Sequence, residues 1–599
     1  MPPMSKEMRR KSQIASQSRG EDGSFFVSRI LPFTMFFLSF SLPNLVFSGS
    51  YFFSTLHLMK WVATLAPIAL LGVVHGFRTA RLGAERTGFR LDGFAFVWLM
   101  LLLYVTAQPL WTDVRSMVTF AQEWFFFASL WLVYVLASYM ADERLLRALL
   151  WGALLNAAIS VLFAELQMRG LNGPYPFVMP TPGNYIANTG QQNMFALWMA
   201  IGGLGGAFLL LSTDRARKKP LLNGTIFALL GVVFRGLITS TSRSGILALA
   251  VGYAVLAVFY LRLEGRRMRA KVLFVPLLFA AVLAMNVSMN DNTAQALTNK
   301  LEDVIERPLS IAHRDSIWAT SWTMFSARPW RGTGLGQFKW NYMDAQVEML
   351  HRWPHLKWQY THWAHNEFLQ WMAEAGVVGA ALMFFLWIWW GWGAMSAFVR
   401  KTRLSPGAVW GSALVSLFFF NALWTRPFHR IENAVWLALA FAATNREVLP
   451  PLFPALSAER FSRSLRVAGG VICVTSLVGL IYLGNGVYGD RMLRLAAGVR
   501  GDAAAMQNYL TRAYNSPMVR DEAEMQLAYL LVHLGDHLQD PELTADGLNA
   551  LIAFFEKQPD VQELSFLRRW VPRLNNEGFK RYVESFTSWP NPSGTQLNF

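Results

Sequence analysis

The chain has 599 residues, of which 53% are hydrophobic, 14% aromatic and only 15% charged, and its mean hydropathy is +0.28. This composition excludes an ordinary water-soluble protein and indicates a polytopic membrane protein. The 54 Lys and Arg against 38 Asp and Glu give a net charge of +16. Basic loops on one membrane face explain this charge more simply than nucleic-acid binding does.

Apolar stretches long enough to cross a bilayer recur along the chain. We predict thirteen membrane-spanning helices, at residues 30–49, 54–75, 92–110, 118–140, 147–167, 193–212, 221–239, 245–261, 272–289, 367–397, 407–425, 432–444 and 467–487. The short stretch at 432–444 is the weakest, so the predicted number ranges from twelve to fourteen. No cleavable signal peptide is expected, because no small-residue cleavage site follows the basic residues of 1–29. The predicted fold class is all-α.

Clusters of Lys and Arg occur in every second loop and in the N-terminus, and the positive-inside rule makes this face cytoplasmic. The predicted organisation is a cytoplasmic N-terminus (1–29), helices 1–9 (30–289), a large noncytoplasmic loop (290–366), helices 10–13 (367–487) and a small noncytoplasmic C-terminal helical domain (488–599). The expected surroundings are membrane lipids.

Four stretches on the predicted noncytoplasmic face hold most of the histidines and isolated arginines near helix ends: 183–193, 240–245, 290–366 and 425–430. Arg243 stands out, because it lies between two apolar helices with only small hydroxylic neighbours. A cation near membrane depth is costly and usually pairs with an anion or marks a site. Snorkelling to lipid headgroups is the alternative interpretation.

The large loop begins with a polar stretch, 290–313, that we expect to be partly helical. Aromatic residues crowd its second half: Trp330, Trp340, Tyr342, Trp353, Trp358, Tyr360 and Trp363. An interfacial aromatic belt explains some of them. Rings with an apolar face and a polar edge would also suit stacking against sugars.

At the end of this loop, His365 and Asn366 stand at the mouth of a long apolar helix. Histidine is the side chain whose ordinary pKa allows proton transfer near neutral pH. The alternative is an interfacial histidine that merely begins a membrane helix.

The histidines His351, His355, His362 and His365 also allow a zinc site to be considered. Pro354 interrupts the helical spacing of the first two, and neither an HExxH motif nor an acidic cluster completes a ligand set. We therefore predict no metal and no cofactor. The single cysteine, Cys473, excludes an intrachain disulfide.

The C-terminal part differs in character, with amphipathic stretches at 523–534 and 543–556 in which apolar residues recur every three or four positions. It is predicted to be helical.

Four short motifs occur in one order: Gly190–Asn193, Ser242–Gly245, Arg314–Trp318 with Gly332–Gly334, and His365–Asn366 with Glu374–Gly376. Over about residues 30–445, their order and topology resemble the superfamily of O-antigen ligases and bacterial protein O-oligosaccharyltransferases. The Gly-Gln-Gln-Asn start of the sixth span and the extra C-terminal domain favour the protein O-oligosaccharyltransferase branch.

The resemblance implies a metal-independent, inverting transfer of a glycan from undecaprenyl diphosphate to an acceptor hydroxyl on the periplasmic face of a bacterial inner membrane. The large loop (290–366) and the C-terminal helical domain (488–599) would then lie in the periplasm. His365 then matches the catalytic base, and Arg243 and Arg314 match diphosphate-binding arginines. Further substrate or acceptor contacts are expected at Gln192, Asn193, Trp363, Asn366, Arg426 and His429.

The preferred acceptor is a protein such as pilin, with lipid A-core as the alternative. Either recognition of the acceptor or a stabilising role is open to the C-terminal helices. A transporter or flippase would instead require ionisable residues deep within several helices. Glu374 is predicted to be a buried structural acid that satisfies a neighbouring helix end or a cation, because nine residues along a regular helix turn it away from His365.

Overall fold

The computed structural model describes residues 29–46, 58–89, 91–212, 220–264, 269–289, 295, 314–400, 403–449, 462–571 and 577–586. In this part of the chain the regular secondary structure is helical, which confirms the all-α polytopic class. The predictions for residues 1–28 and for most of 290–313 lie outside the described residues.

The helices before the large loop are α1 (Leu31–Ser41), α2 (Leu58–Leu82), α3 (Gly93–Ala107), α4 (Met117–Met140), α5 (Glu143–Met168), α6 (Gln192–Leu211), α7 (Pro220–Thr239), α8 (Arg243–Glu264) and α9 (Arg269–Met289). Several begin at a residue whose side chain accepts a backbone N–H of the first turn, which is a common helix start. Asp92 caps α3, Ser116 caps α4 and Asp142 caps α5 in this way.

The large loop contains α10 (Arg314–Ala327) and α11 (Phe338–Arg352). It is followed by α12 (Glu367–Val399), α13 (Pro406–Ala422), α14 (Ile431–Val448) and α15 (Ser462–Gly498). The C-terminal helices are α16 (Ala503–Tyr514), α17 (Arg520–Leu538), α18 (Pro541–Lys557), α19 (Val561–Trp570) and α20 (Glu577–Glu584).

Ten described helices are long and apolar enough to cross a membrane, namely α2 to α9, α12 and α15. The other three predicted spans, 30–49, 407–425 and 432–444, correspond to α1, α13 and α14, which have 11, 17 and 18 residues. Thirteen spans therefore remain a prediction. Helix α15 continues for 37 residues, past residue 487, where we expected the C-terminal domain to begin.

Small residues bring the helices of the bundle into close contact, as is common in membranes. Helix α6 is buried along nearly its whole length. A Cβ atom added at its Gly202 would lie 2.7 Å from the Cβ of Ala157 in α5. Likewise, a Cβ atom on Gly76 of α2 would lie 2.6 Å from the backbone nitrogen of Cys473 in α15.

Helix α12 is broken at Gly376, whose φ of 62° and ψ of −168° are not helical. The backbone of residues 329–334 enters the break: Val377 N donates to Pro329 O at 2.7 Å, and Thr333 N donates to Ala373 O at 2.9 Å. The large loop is therefore hydrogen-bonded to α12 at the break. The same helix begins shortly after His365.

Candidate functional site

His365 and Asn366 end the segment Tyr360–Asn366, which we call the histidine turn. His365 has a φ of +50°, a left-handed conformation that is uncommon for residues other than glycine. Asn366 caps α12, because its Oδ1 accepts from Phe368 N at 3.0 Å and from Leu369 N at 3.1 Å. Its Nδ2 donates to Leu423 O at 3.2 Å. Both ends of the Asn366 side chain therefore contact the protein, and its contact with an acceptor stays a prediction.

The imidazole of His365 is half-buried and lies near two arginines. Burial, together with the charges of Arg426 and Arg314, lowers its pKa to about 3. The ring is therefore neutral at neutral pH, and a nitrogen lone pair is free to accept a proton.

Arg243 and Arg314 are the first residues of α8 and α10. Burial lowers the pKa of Arg314, and the nearby charge of Arg243 lowers it further. The structure thus brings these two arginines near one another and Arg314 near His365, although the three residues come from different elements. Two guanidinium groups at two helix N-termini favour an anion between them.

Gln192 and Asn193 begin α6 and contact the turn before Arg243. Ser242 Oγ donates to Asn193 Oδ1 at 2.9 Å, and Gln192 Nε2 donates to Ser240 O and to Thr241 Oγ1. Both side chains therefore hold the start of α8, and their predicted contact with substrate is not tested by these bonds.

Trp363 contacts both predicted site residues of the 425–430 stretch. The guanidinium carbon of Arg426 lies 4.3 Å from the centre of the Trp363 ring, and the His429 ring lies 4.9 Å from it. Burial and the neighbouring Arg430 lower the pKa of Arg426 well below its ordinary value. Its buried Nε has no hydrogen-bond partner in the described part of the chain. The carboxylates of Glu367, Glu123 and Glu432 act in the opposite direction and partly compensate its charge, so contact of Arg426 with an anionic ligand stays a prediction.

Two carboxylates missed in the sequence analysis bracket His429, whose side chain is only 3% exposed. Its Nδ1 lies 3.0 Å from Glu367 Oε2, and its Nε2 lies 3.7 Å from Glu123 Oε2. Burial alone would lower the pKa of His429, but Glu367 and Glu123 outweigh it and raise the pKa to about 9. His429 is thus a cation at neutral pH. The sequence signal that could have identified Glu123 is its position as the lone acid in the apolar stretch 118–140.

Glu374 accepts hydrogen bonds from the start of α11: Gly336 N donates to its Oε2 at 2.8 Å and Phe338 N to its Oε1 at 3.2 Å. Gln370 Nε2 also donates to Glu374 Oε1 at 3.2 Å. The same nitrogen lies 3.3 Å from His429 Nε2. The prediction of a buried acid that satisfies a neighbouring helix end is confirmed.

The four histidines of the loop do not form one cluster. His351 lies in the last turn of α11, His355 lies beyond that helix, and His362 Nε2 is 2.8 Å from Tyr360 Oη. Within the described ranges, no three His, Cys, Asp or Glu side chains are grouped so that they could hold a metal ion. Metal independence stays a prediction.

A family model described as O-Antigen ligase matches residues 226–385. This region extends from α7 into α12 and contains Arg243, Arg314 and His365. The match supports the placement of the chain in the O-antigen ligase superfamily and indicates a glycosyltransferase of that type; it does not separate the branches. No curated protein matches the chain.

Proposed function

We propose that this O-antigen-ligase-like chain transfers a glycan en bloc from undecaprenyl diphosphate to an acceptor hydroxyl, with inversion, on the periplasmic face of the inner membrane. The observation that carries the proposal is the neutral His365 at the start of α12, next to Arg314 and Arg426. A proton acceptor beside fixed cations is what such a transfer requires.

In the proposed reaction, His365 accepts the proton of the acceptor O–H group as the oxygen attacks the anomeric carbon. The bond from that carbon to the diphosphate oxygen breaks, and its electron pair leaves with the undecaprenyl diphosphate. Arg243 and Arg314 would hold the diphosphate and stabilise the charge that it gains.

The bound diphosphate would also change the base. A pKa of about 3 describes His365 with the positive charges of Arg426 and Arg314 nearby, and a weak base removes a proton poorly. A diphosphate bound to Arg314 would offset the charge of that arginine and therefore raise the pKa of His365. The base would then be strongest when the glycan donor is bound.

A protein hydroxyl is the preferred acceptor. The support comes from the sequence: the Gly190–Asn193 motif at the start of α6 and the additional C-terminal helices. Lipid A-core is the alternative. Against a flippase, the residues of the candidate site gather near helix ends, whereas a transport path needs ionisable groups within several helices.

The decisive experiment offers the purified protein a lipid-linked oligosaccharide together with pilin-like protein and rough lipopolysaccharide in one reaction. We expect glycosylated protein to form, also in excess chelator. Product on the lipopolysaccharide alone would select the ligase alternative, and movement of the lipid-linked glycan without transfer would favour a flippase. Loss of turnover with chelator, restored by zinc or manganese, would require a metal site.

A further inference from the structure

The C-terminal helices form part of the surroundings of His365. One hydrophobic cluster joins loop residues, among them Phe338, Tyr342 and Ala364, to side chains of the C-terminal helices such as Leu551 and Leu564. Ala364 directly precedes His365. The histidine turn therefore packs in the same core as a domain whose role the sequence left open.

Polar contacts join the start of α17, and the residues directly before it, to the start of α4. Ser116 Oγ donates to Asp521 Oδ2 at 2.5 Å, and Gln122 Nε2 donates to Met518 O at 2.5 Å. The C-terminal helices are therefore held against the bundle as well as against the loop, so they can serve as a fixed support.

One side chain of this domain reaches the histidine turn. Asp560, which is buried and directly precedes α19, accepts a hydrogen bond from the hydroxyl of Tyr360. The same hydroxyl oxygen lies 2.8 Å from His362 Nε2. Since a hydroxyl has one proton to donate and Asp560 takes it, Tyr360 Oη must accept from His362, whose Nε2 then carries a proton.

The protonation state of His362 agrees with donation from its Nε2 to the hydroxyl oxygen of Tyr360. Burial and the nearby Lys339 and Arg426 lower the pKa of His362 to about 3, so its ring is neutral and can carry a single proton, on Nε2.

The remainder of the turn is held by side-chain bonds rather than by regular secondary structure. Thr361 Oγ1 accepts from Trp363 N at 3.2 Å, and Gln370 Oε1 accepts from Ala364 N at 3.3 Å. These bonds lie directly before His365, whose backbone conformation is left-handed. Loss of the bond at Tyr360 would loosen the end of the turn that lacks a helix.

We propose that Asp560 and Tyr360 are positioning residues, through which the C-terminal domain fixes the histidine turn so that His365 can meet the acceptor hydroxyl. This inference rests on the proposed function, since it gives His365 the role of base. The domain is then required for turnover and not for binding of the glycan donor, because Arg243 and Arg314 lie on other elements.

The test compares Asp560→Asn and Tyr360→Phe in the full-length protein with Asp546→Asn, which changes an exposed acid of the same domain. We expect kcat to fall about tenfold to 100-fold in the first two variants, as a small misplacement of a catalytic group can cause. The amount and affinity of bound lipid-linked donor should stay at the wild-type level, which shows that the sites are intact. Asp546→Asn should behave as the wild type.

A second comparison separates positioning from a general loss of folded protein. In the His365→Ala background the two substitutions should have little further effect on residual transfer, because they act through the missing side chain. A wild-type kcat in folded Asp560→Asn or Tyr360→Phe would overturn the proposal. An equal loss in both backgrounds, or failure of both variants to fold, would overturn it too, since the contact would then serve stability alone. Absence of transfer by the wild type would instead refute the proposed function.

Discussion

A single neutral imidazole in a strained backbone conformation is the residue on which the proposed chemistry depends. His365→Ala should lower kcat by at least about 100-fold, the usual contribution of a general base, while expression and donor binding persist because Asn366 still caps α12. Steady-state transfer rates measure this, and His351→Ala, at an exposed site in the last turn of α11, is the control. Wild-type rates in the His365 variant would remove that residue from the mechanism.

The two site arginines should not tolerate lysine. Arg243→Lys and Arg314→Lys retain the charge but lose the two-donor geometry that a phosphate accepts. Loss of one charge-assisted hydrogen bond costs about 1.5–3 kcal/mol, so kcat/KM should fall about tenfold to 100-fold. Arg352→Lys, which changes an exposed arginine on α11, should leave the rate unchanged. Normal turnover in both site variants would mean that the arginines act only as diffuse charge.

The positive charge of His429 should make the stability of the folded protein decrease as the pH rises. Its pKa is raised from 6.5 to about 9 in the folded protein, so the stabilisation is fully present below pH 6.5 and is lost as the pH rises towards 9. Thermal unfolding in detergent between these values should show a falling melting temperature for the wild type. His429→Gln should be less stable at pH 6.5 and should lack most of this slope; an equal slope in both proteins would contradict the assignment.

At the scale of elements, the break in α12 carries the large loop. Gly376 has a φ of 62°, and a Cβ atom there would lie 2.7 Å from the backbone of Trp330. Gly376→Ala should therefore destabilise the protein by about 1–3 kcal/mol and lower activity. Gly391→Ala, in the same helix and with open space around it, should be neutral or slightly stabilising. Unfolding in denaturant measures both, and equal stability of the two variants would show that the break tolerates a side chain.

The sequence predicts the long apolar helices, and capping residues such as Asp92 and Asp142 mark where two of them begin. It also predicts the role of Glu374, because the helix is regular between Asn366 and the break at Gly376. The break itself was not predicted, since the apolar pattern continues through it. The pairing of Glu123 with His429 was not predicted either, because no local pattern joins residues 306 positions apart.

At the scale of the whole molecule, several parts of the proposed site lie at helix starts. Helices α8, α10 and α12 begin at Arg243, Arg314 and Glu367, and Gln192 at the start of α6 bonds to Ser240 at the end of α7. The C-terminal helices contact the start of α4 and the large loop. These contacts place the C-terminal helices and the candidate site at the same end of the bundle.

That arrangement makes the orientation testable in one experiment. After Cys473→Ser, single cysteines at the exposed positions Asn184, Lys357 and Gln507 should react with a membrane-impermeant thiol reagent in intact spheroplasts. A cysteine at Lys218, in a basic loop on the opposite predicted face, should react only after lysis. We expect this labelling pattern because Lys and Arg are retained in cytoplasmic loops. The proposed acceptor, in contrast, would reach His365 from the periplasm. If only the cysteine introduced at position 218 were labelled in intact spheroplasts, the topology would be reversed. The proposed site would then face the cytoplasm, where a periplasmic acceptor cannot reach it.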